Sequence, residues 1–64
     1  MDRTEVTCTD TDNTIGADVL ERSGRHLKVA IDGMMDSLTL TKGDPHDRYY
    51  VGTQAGFEFT STGD

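Results

Sequence analysis

His26-Leu27-Lys28-Val29-Ala30-Ile31-Asp32 sets Leu27, Val29 and Ile31 on one side of an extended chain and Lys28 and Asp32 on the other. Such alternation marks a half-buried strand, because successive strand side chains point to opposite faces. Ser37-Leu38-Thr39-Leu40-Thr41 repeats it, with both leucines inward and the threonines outward. Phe57-Glu58-Phe59-Thr60 repeats it again with two aromatics. Threonine recurs along the chain, and its β-branched side chain suits strands better than helix interiors.

Turn residues separate the runs. Arg22-Ser23-Gly24-Arg25 divides Val19-Leu20-Glu21 from the Leu27 strand. Asp32-Gly33 would suit a two-residue hairpin, but strict pairing there sets Val29 opposite Asp36 on the buried face. A longer loop through Met34, Met35 and Asp36 is therefore expected. Lys42-Gly43-Asp44-Pro45-His46-Asp47 is the clearest loop, since Pro fixes one backbone angle and Gly frees another. Tyr49-Tyr50-Val51-Gly52-Thr53 reads as a further strand, and Gln54-Ala55-Gly56 as the turn into Phe57. Glu5-Val6-Thr7-Cys8-Thr9 alternates weakly, and Asp10-Thr11-Asp12-Asn13-Thr14 reads as polar loop. Residues 15–22 are the best helix candidate, one or two turns at most, with Ala17, Val19 and Leu20 but no long 3.6-residue stripe. The predicted class is all-β: five or six short antiparallel strands in a small barrel or sheet, which a second subunit could complete. Residues 1–64 form a single small β domain, with residues 1–4 and 61–64 expected to fray.

The chain has 64 residues, of which 33% are hydrophobic, and a net charge of -6. That is near the lower size limit for a domain folding without disulfides, metals or partners, and too short for doubly wound or α/β-barrel enzyme folds. Nearly every apolar side chain would have to be inside for a monomer to be stable. This predicts a homodimer sharing its core, with exchanged strands as one form of it. One Cys excludes an internal disulfide. No apolar run approaches the roughly 18 residues of a membrane span. The opening Met1-Asp2-Arg3-Thr4-Glu5 lacks the basic-then-apolar order of a signal peptide, so a soluble cytoplasmic protein is expected.

The rhythm Leu27-x-Val29-x-Ile31-Asp32-Gly33, then Leu38-Thr39-Leu40-Thr41, then Asp44-Pro45, then Tyr50-Val51-Gly52-x-x-Ala55-Gly56-x-Glu58-Phe59-Thr60-Ser61 resembles short uncharacterised bacterial proteins that end in a similar segment. The likeness covers a little over half the chain. It implies a small all-β fold, with strands exchanged between two subunits as one form, and no known activity. Gly16-Ala17-Asp18-Val19-Leu20-Glu21 with Leu27-Lys28-Val29 and Asp32-Gly33 is also similar to the opening of small OB-fold RNA binders such as bacterial translation initiation factor 1. The charge and the absence of a basic C-terminal portion depart from that group.

Few residues invite chemistry. Asp10-Thr11-Asp12-Asn13-Thr14 matches the DxDxT pattern of haloacid-dehalogenase-type phosphatases, but phosphoryl transfer needs partners from a much larger fold, and an acidic loop is the preferred reading. Asp10, Asp12, Thr14, Asp18 and Glu21 fall at oxygen-ligand spacings of a calcium loop, yet Ile15 stands where Gly is required. His46 between Asp44 and Asp47 is short of a three-ligand metal site, and Cys8 reads as a buried small hydrophobe. Convergence of Asp12, His46 and Cys8 in one cleft would signal an enzyme, and they are expected to be apart. No catalytic, cofactor or metal residue is assigned.

What remains is interaction. The core or interface candidates are Leu27, Val29, Ile31, Leu38, Leu40, Phe57 and Phe59, with Met34 and Met35 at a loop tip as a possible contact. Open strand edges would pair with a second copy or with another protein. The expectation is an acidic protein-interaction or structural module, homodimeric through strand edges and apolar faces, and not an enzyme. The alternative is a small-barrel nucleic-acid binder using the basic turn at Arg22, Arg25 and Lys28, with His26 beside them and an exposed Tyr for stacking. The net charge disfavours that alternative without removing the local patch.

Overall fold

The computed structural model describes residues 2–63. Six antiparallel strands form a closed barrel: β1 (Arg3–Cys8), β2 (Asn13–Arg22), β3 (His26–Ile31), β4 (Ser37–Thr41), β5 (Tyr50–Gln54) and β6 (Phe57–Ser61). Each strand pairs with its neighbours in sequence, and β6 returns to β1. The alternation predicted for the Leu27 and Leu38 runs is realised. Leu27 faces Leu40 and Val29 faces Leu38 across β3 and β4, all four inside the barrel. The loop between them spans Asp32 to Asp36, which keeps Asp36 away from Val29.

Residues 15–22, the helix candidate, lie in β2, the longest strand. Its pairing with β3 shifts register between Val19 and Glu21, so Leu20 is an extra residue at a bulge and is exposed. The bulge puts two apolar residues side by side, and this breaks the period of two that identifies a strand. Asn13 and Thr14, read as loop, are the first residues of the same strand. The two halves of β2 serve different walls: residues 13–18 pair with β1 and residues 17–22 with β3.

Of the residues expected to fray, Arg3, Thr4 and Ser61 lie in strands. Arg3 and Thr4 belong to β1, and Thr4 is buried. Ser61 belongs to β6 and is also buried. The Ser61 hydroxyl donates to the Glu5 carbonyl at 2.7 Å, accepts from the Gly63 N–H at 3.0 Å, and lies 3.2 Å from the Thr4 hydroxyl. Met1 and Asp64 lie outside the described residues.

Closure also changes the account of strand edges. A barrel pairs its edges with each other, so the open-sheet edges expected to recruit a partner are absent here. The seams are thin. β4 and β5 share the pair Thr41 and Val51, and β1 meets β6 at Thr7–Thr60 and Cys8–Phe59. At the β4–β5 seam a Cβ on Gly52 would lie 2.7 Å from the Thr39 carbonyl oxygen and from Leu40 Cδ2. Only glycine lets the two backbones cross that closely. An OB-fold is a five-stranded Greek-key barrel, so this six-stranded meander is a different topology.

Candidate functional site

The register fixes what the barrel exposes. From Thr14 on β2, in-register partners run through Thr7, Thr60, Val51 and Thr41 to His26 on β3, beside the far end of β2. Strands of a closed barrel must be staggered in this way. Ile15, near the start of β2, and Phe57, at the start of β6, both lie at the end of the barrel that carries the β1–β2, β3–β4 and β5–β6 turns. Both residues are on inward-facing positions, Ile15 opposite buried Val6 and Phe57 two residues before buried Phe59. They sit beyond the packed layer and remain 37% and 43% exposed.

The β3–β4 loop reaches the same mouth. The Asp32 N–H donates to the Gly16 carbonyl and the Met34 N–H to the Ile31 carbonyl, each at 3.0 Å. Met34 is 37% exposed, and Met35 is fully exposed. Gln54, in register with Phe57, has a buried Oε1 without a hydrogen-bond partner among the described residues. Asp10 and Asp12 on the β1–β2 turn and Asp32 and Asp36 on the β3–β4 loop are exposed around these apolar groups. An apolar centre with a polar rim has the anatomy of an interaction surface.

The interface candidates thus divide. Leu27, Val29, Ile31 and Phe59 are enclosed in the barrel with Leu38 and Leu40, so they form the core of the single chain and offer no outer contact. Met34, Met35 and Phe57 stay on the surface, joined by Ile15, which the expected helix had hidden. An inward parity at a strand end was the available signal for Ile15.

The three anion-contact candidates divide as well. Arg22 is held by the chain ends: its guanidinium donates to the Gly63 carbonyl and pairs with Asp2 at 3.5 Å. Arg25 and Lys28 make no ion pair among the described residues. The Lys42 N–H donates to the Arg25 carbonyl at 2.9 Å, which adds a cation to this end of the barrel. Lys42 itself stacks over Tyr50, 4.1 Å from the ring centroid, and donates to the Asp47 carbonyl. Tyr50 is buried, and its hydroxyl donates to the Ser23 carbonyl, so the exposed Tyr is Tyr49.

Other chemistry-bearing residues have structural partners. Asp10 accepts the Glu58 N–H at 2.9 Å and ties the β1–β2 turn to β6. Asp44 and Asp47 cap the N–H groups of His46 and Asp44 within their own loop. Cys8 is buried in the core, whereas Asp12 and His46 are exposed at loops on opposite ends of the barrel. The largest charge cluster is Arg3, which donates to Asp18 at 2.9 Å and forks onto both oxygens of Asp32 at 2.9 and 2.7 Å. Gly16 leaves room for that fork, since a Cβ there would meet Arg3 Nη2 at 2.7 Å. Hydrogen bonding to the guanidinium holds the Asp32 carboxyl below its ordinary value, and the two carboxylates raise Arg3. Among the described residues no helix is long and apolar enough to cross a membrane. No family model, curated protein or solved structure matches the chain.

Proposed function

We propose that this protein is a small acidic protein-interaction module that self-associates through the apolar mouth formed by Ile15, Met34, Met35 and Phe57. The observation that carries the reading is the exposure of these four side chains on a chain with so small a core. A chain of this length has little apolar surface to spare, and burying these groups against a second copy returns it to the stability ledger as shared core.

The acidic rim sets the salt dependence. Two copies docked mouth to mouth bring like charges together, and salt screens that repulsion. Sedimentation equilibrium over a dilution series should therefore show a monomer–dimer equilibrium that tightens with added salt, and Phe57→Glu should shift it to monomer. Wild-type protein that stays monomeric up to roughly millimolar concentration at both low and high salt, a range that reports even a contact of about 4 kcal/mol, would refute the proposal.

A further inference from the structure

On the outer wall, away from the apolar mouth, Glu5, Thr7, Thr14, Tyr49, Thr60, Ser61 and Thr62 line a depression of about 350 Å³. Its floor is the in-register row Thr14–Thr7–Thr60, in which the Thr7 and Thr14 hydroxyls lie 3.0 Å apart. Continuing the β1–β6 register by two steps and the β5–β6 register by one places Thr62 between Glu5 and Tyr49. Glu5 and Tyr49 thus flank Thr62 on neighbouring stretches of chain about 4.8 Å to either side, and all three line the depression.

The backbone at both walls is fixed by neighbouring contacts. The Ser61 hydroxyl donates to the Glu5 backbone carbonyl. Tyr49 must turn outward because Tyr50, next in the chain, is buried and anchored to Ser23. The lining offers one anionic side chain, four threonine hydroxyls and one phenol, and no Lys, Arg or His, while the Ser61 hydroxyl is buried and engaged with Thr4, Glu5 and Gly63. Such a surface repels anions and gives an aliphatic ligand no wall. A cation is favoured three ways: by the Glu5 charge, by the face of the Tyr49 ring, and by hydroxyl oxygens that accept its N–H groups. The net charge of -6 concentrates cations near the molecule as a whole.

We infer that this depression binds an alkylammonium group, carried by a lysine side chain of a partner or by a free amine. The site is independent of the apolar mouth, so either can fail without the other.

The test is a titration of the full-length, 15N-labelled protein, followed by amide chemical shifts. Three probes are used: Nα-acetyl-lysine methylamide, the same compound acetylated on Nε, and cadaverine. The lysine derivative should move the amides of Glu5, Thr7, Tyr49, Thr60 and Thr62 with saturation in the millimolar range, and the Nε-acetylated compound should not. Glu5→Gln should weaken binding by about fivefold or more, and Tyr49→Leu by about threefold. A lysine derivative that binds tighter than cadaverine assigns the site to a partner's side chain, and the reverse order assigns it to free amines. Equal shifts with the charged and acetylated compounds, or none at saturating amine, overturn the inference on wild-type protein alone.

Discussion

The wall formed by β2, β3 and β4 and the seams on either side of β5 and β6 hold this barrel by different means. The wall is a continuous ladder, with five register pairs between β3 and β4, over Leu27, Val29, Leu38 and Leu40 in the core. Its strength lies in apolar burial, which is additive and tolerant of detail. The seams have few ladder bonds and rely on single fittings. Gly52 lets backbones cross, Tyr50 reaches Ser23, and the Ser61 hydroxyl joins Thr4, Glu5 and Gly63. A barrel this small therefore has a robust half and a half in which closure depends on a few atoms.

The largest effect tests the wall. Leu27→Ala, at a position with no exposure, should cost about 2–5 kcal/mol. That is as much as one small core supplies, so the variant should lose its dispersed spectrum at room temperature. Urea unfolding that shows a cost below about 1 kcal/mol would mean that the core collapses around the gap and the wall is not the main store of stability.

Gly52→Ala tests the seam. The new methyl meets the Thr39 carbonyl and Leu40 at 2.7 Å, and overpacking of this kind should cost about 1–3 kcal/mol. The loss should be local: amides of β5 should exchange faster with solvent while those of β2 and β3 keep their relative protection. Equal loss of protection across all six strands would show that seam and wall open as one unit, with no difference in how they are held.

The smallest effect concerns the Arg3–Asp18–Asp32 cluster that joins β1 to the wall. Arg3 holds the Asp32 pKa below its unfolded value of about 3.9, so the folded state binds fewer protons than the unfolded state there. The contribution is therefore present above that unfolded pKa and is lost as pH falls through the lower, folded one. Thermal melts should show wild type losing stability on acidification below about pH 4 more steeply than Arg3→Met, and added salt should narrow the difference. All three side chains are largely in water, so the shift in melting temperature should be small. Parallel pH profiles would remove the cluster from the account of how β1 is held.

Much of this was legible along the chain. Period-two alternation at Leu27-x-Val29-x-Ile31 and Leu38-x-Leu40 identified both strands, their buried faces and a loop long enough to protect Val29 from Asp36. Alternation is a local consequence of backbone geometry, so local sequence suffices to see it. The bulge at Leu20 defeated the same reasoning, because one inserted residue shifts parity and makes a strand look like half a helix.

The candidate sites were less legible for a related reason. Parity says which side of a strand a residue faces, but barrel stagger decides whether an inward residue is covered. Ile31 and Ile15 both face in; one is core and the other stands at the mouth. The basic turn appeared as one group, yet Arg22 is taken up by Asp2 and Gly63 at the chain ends, and Lys42 joins from another loop. Glu5, Tyr49 and Thr62 lie far apart in sequence and meet only because β6 returns to β1. An all-β chain, its strand faces and a shortage of apolar core follow from periodicity and composition. That the sheet closes on itself, and which apolar groups it leaves at its mouth, follow from the packing of all six strands. Closure depends on register summed around six strands, a quantity that no local stretch contains.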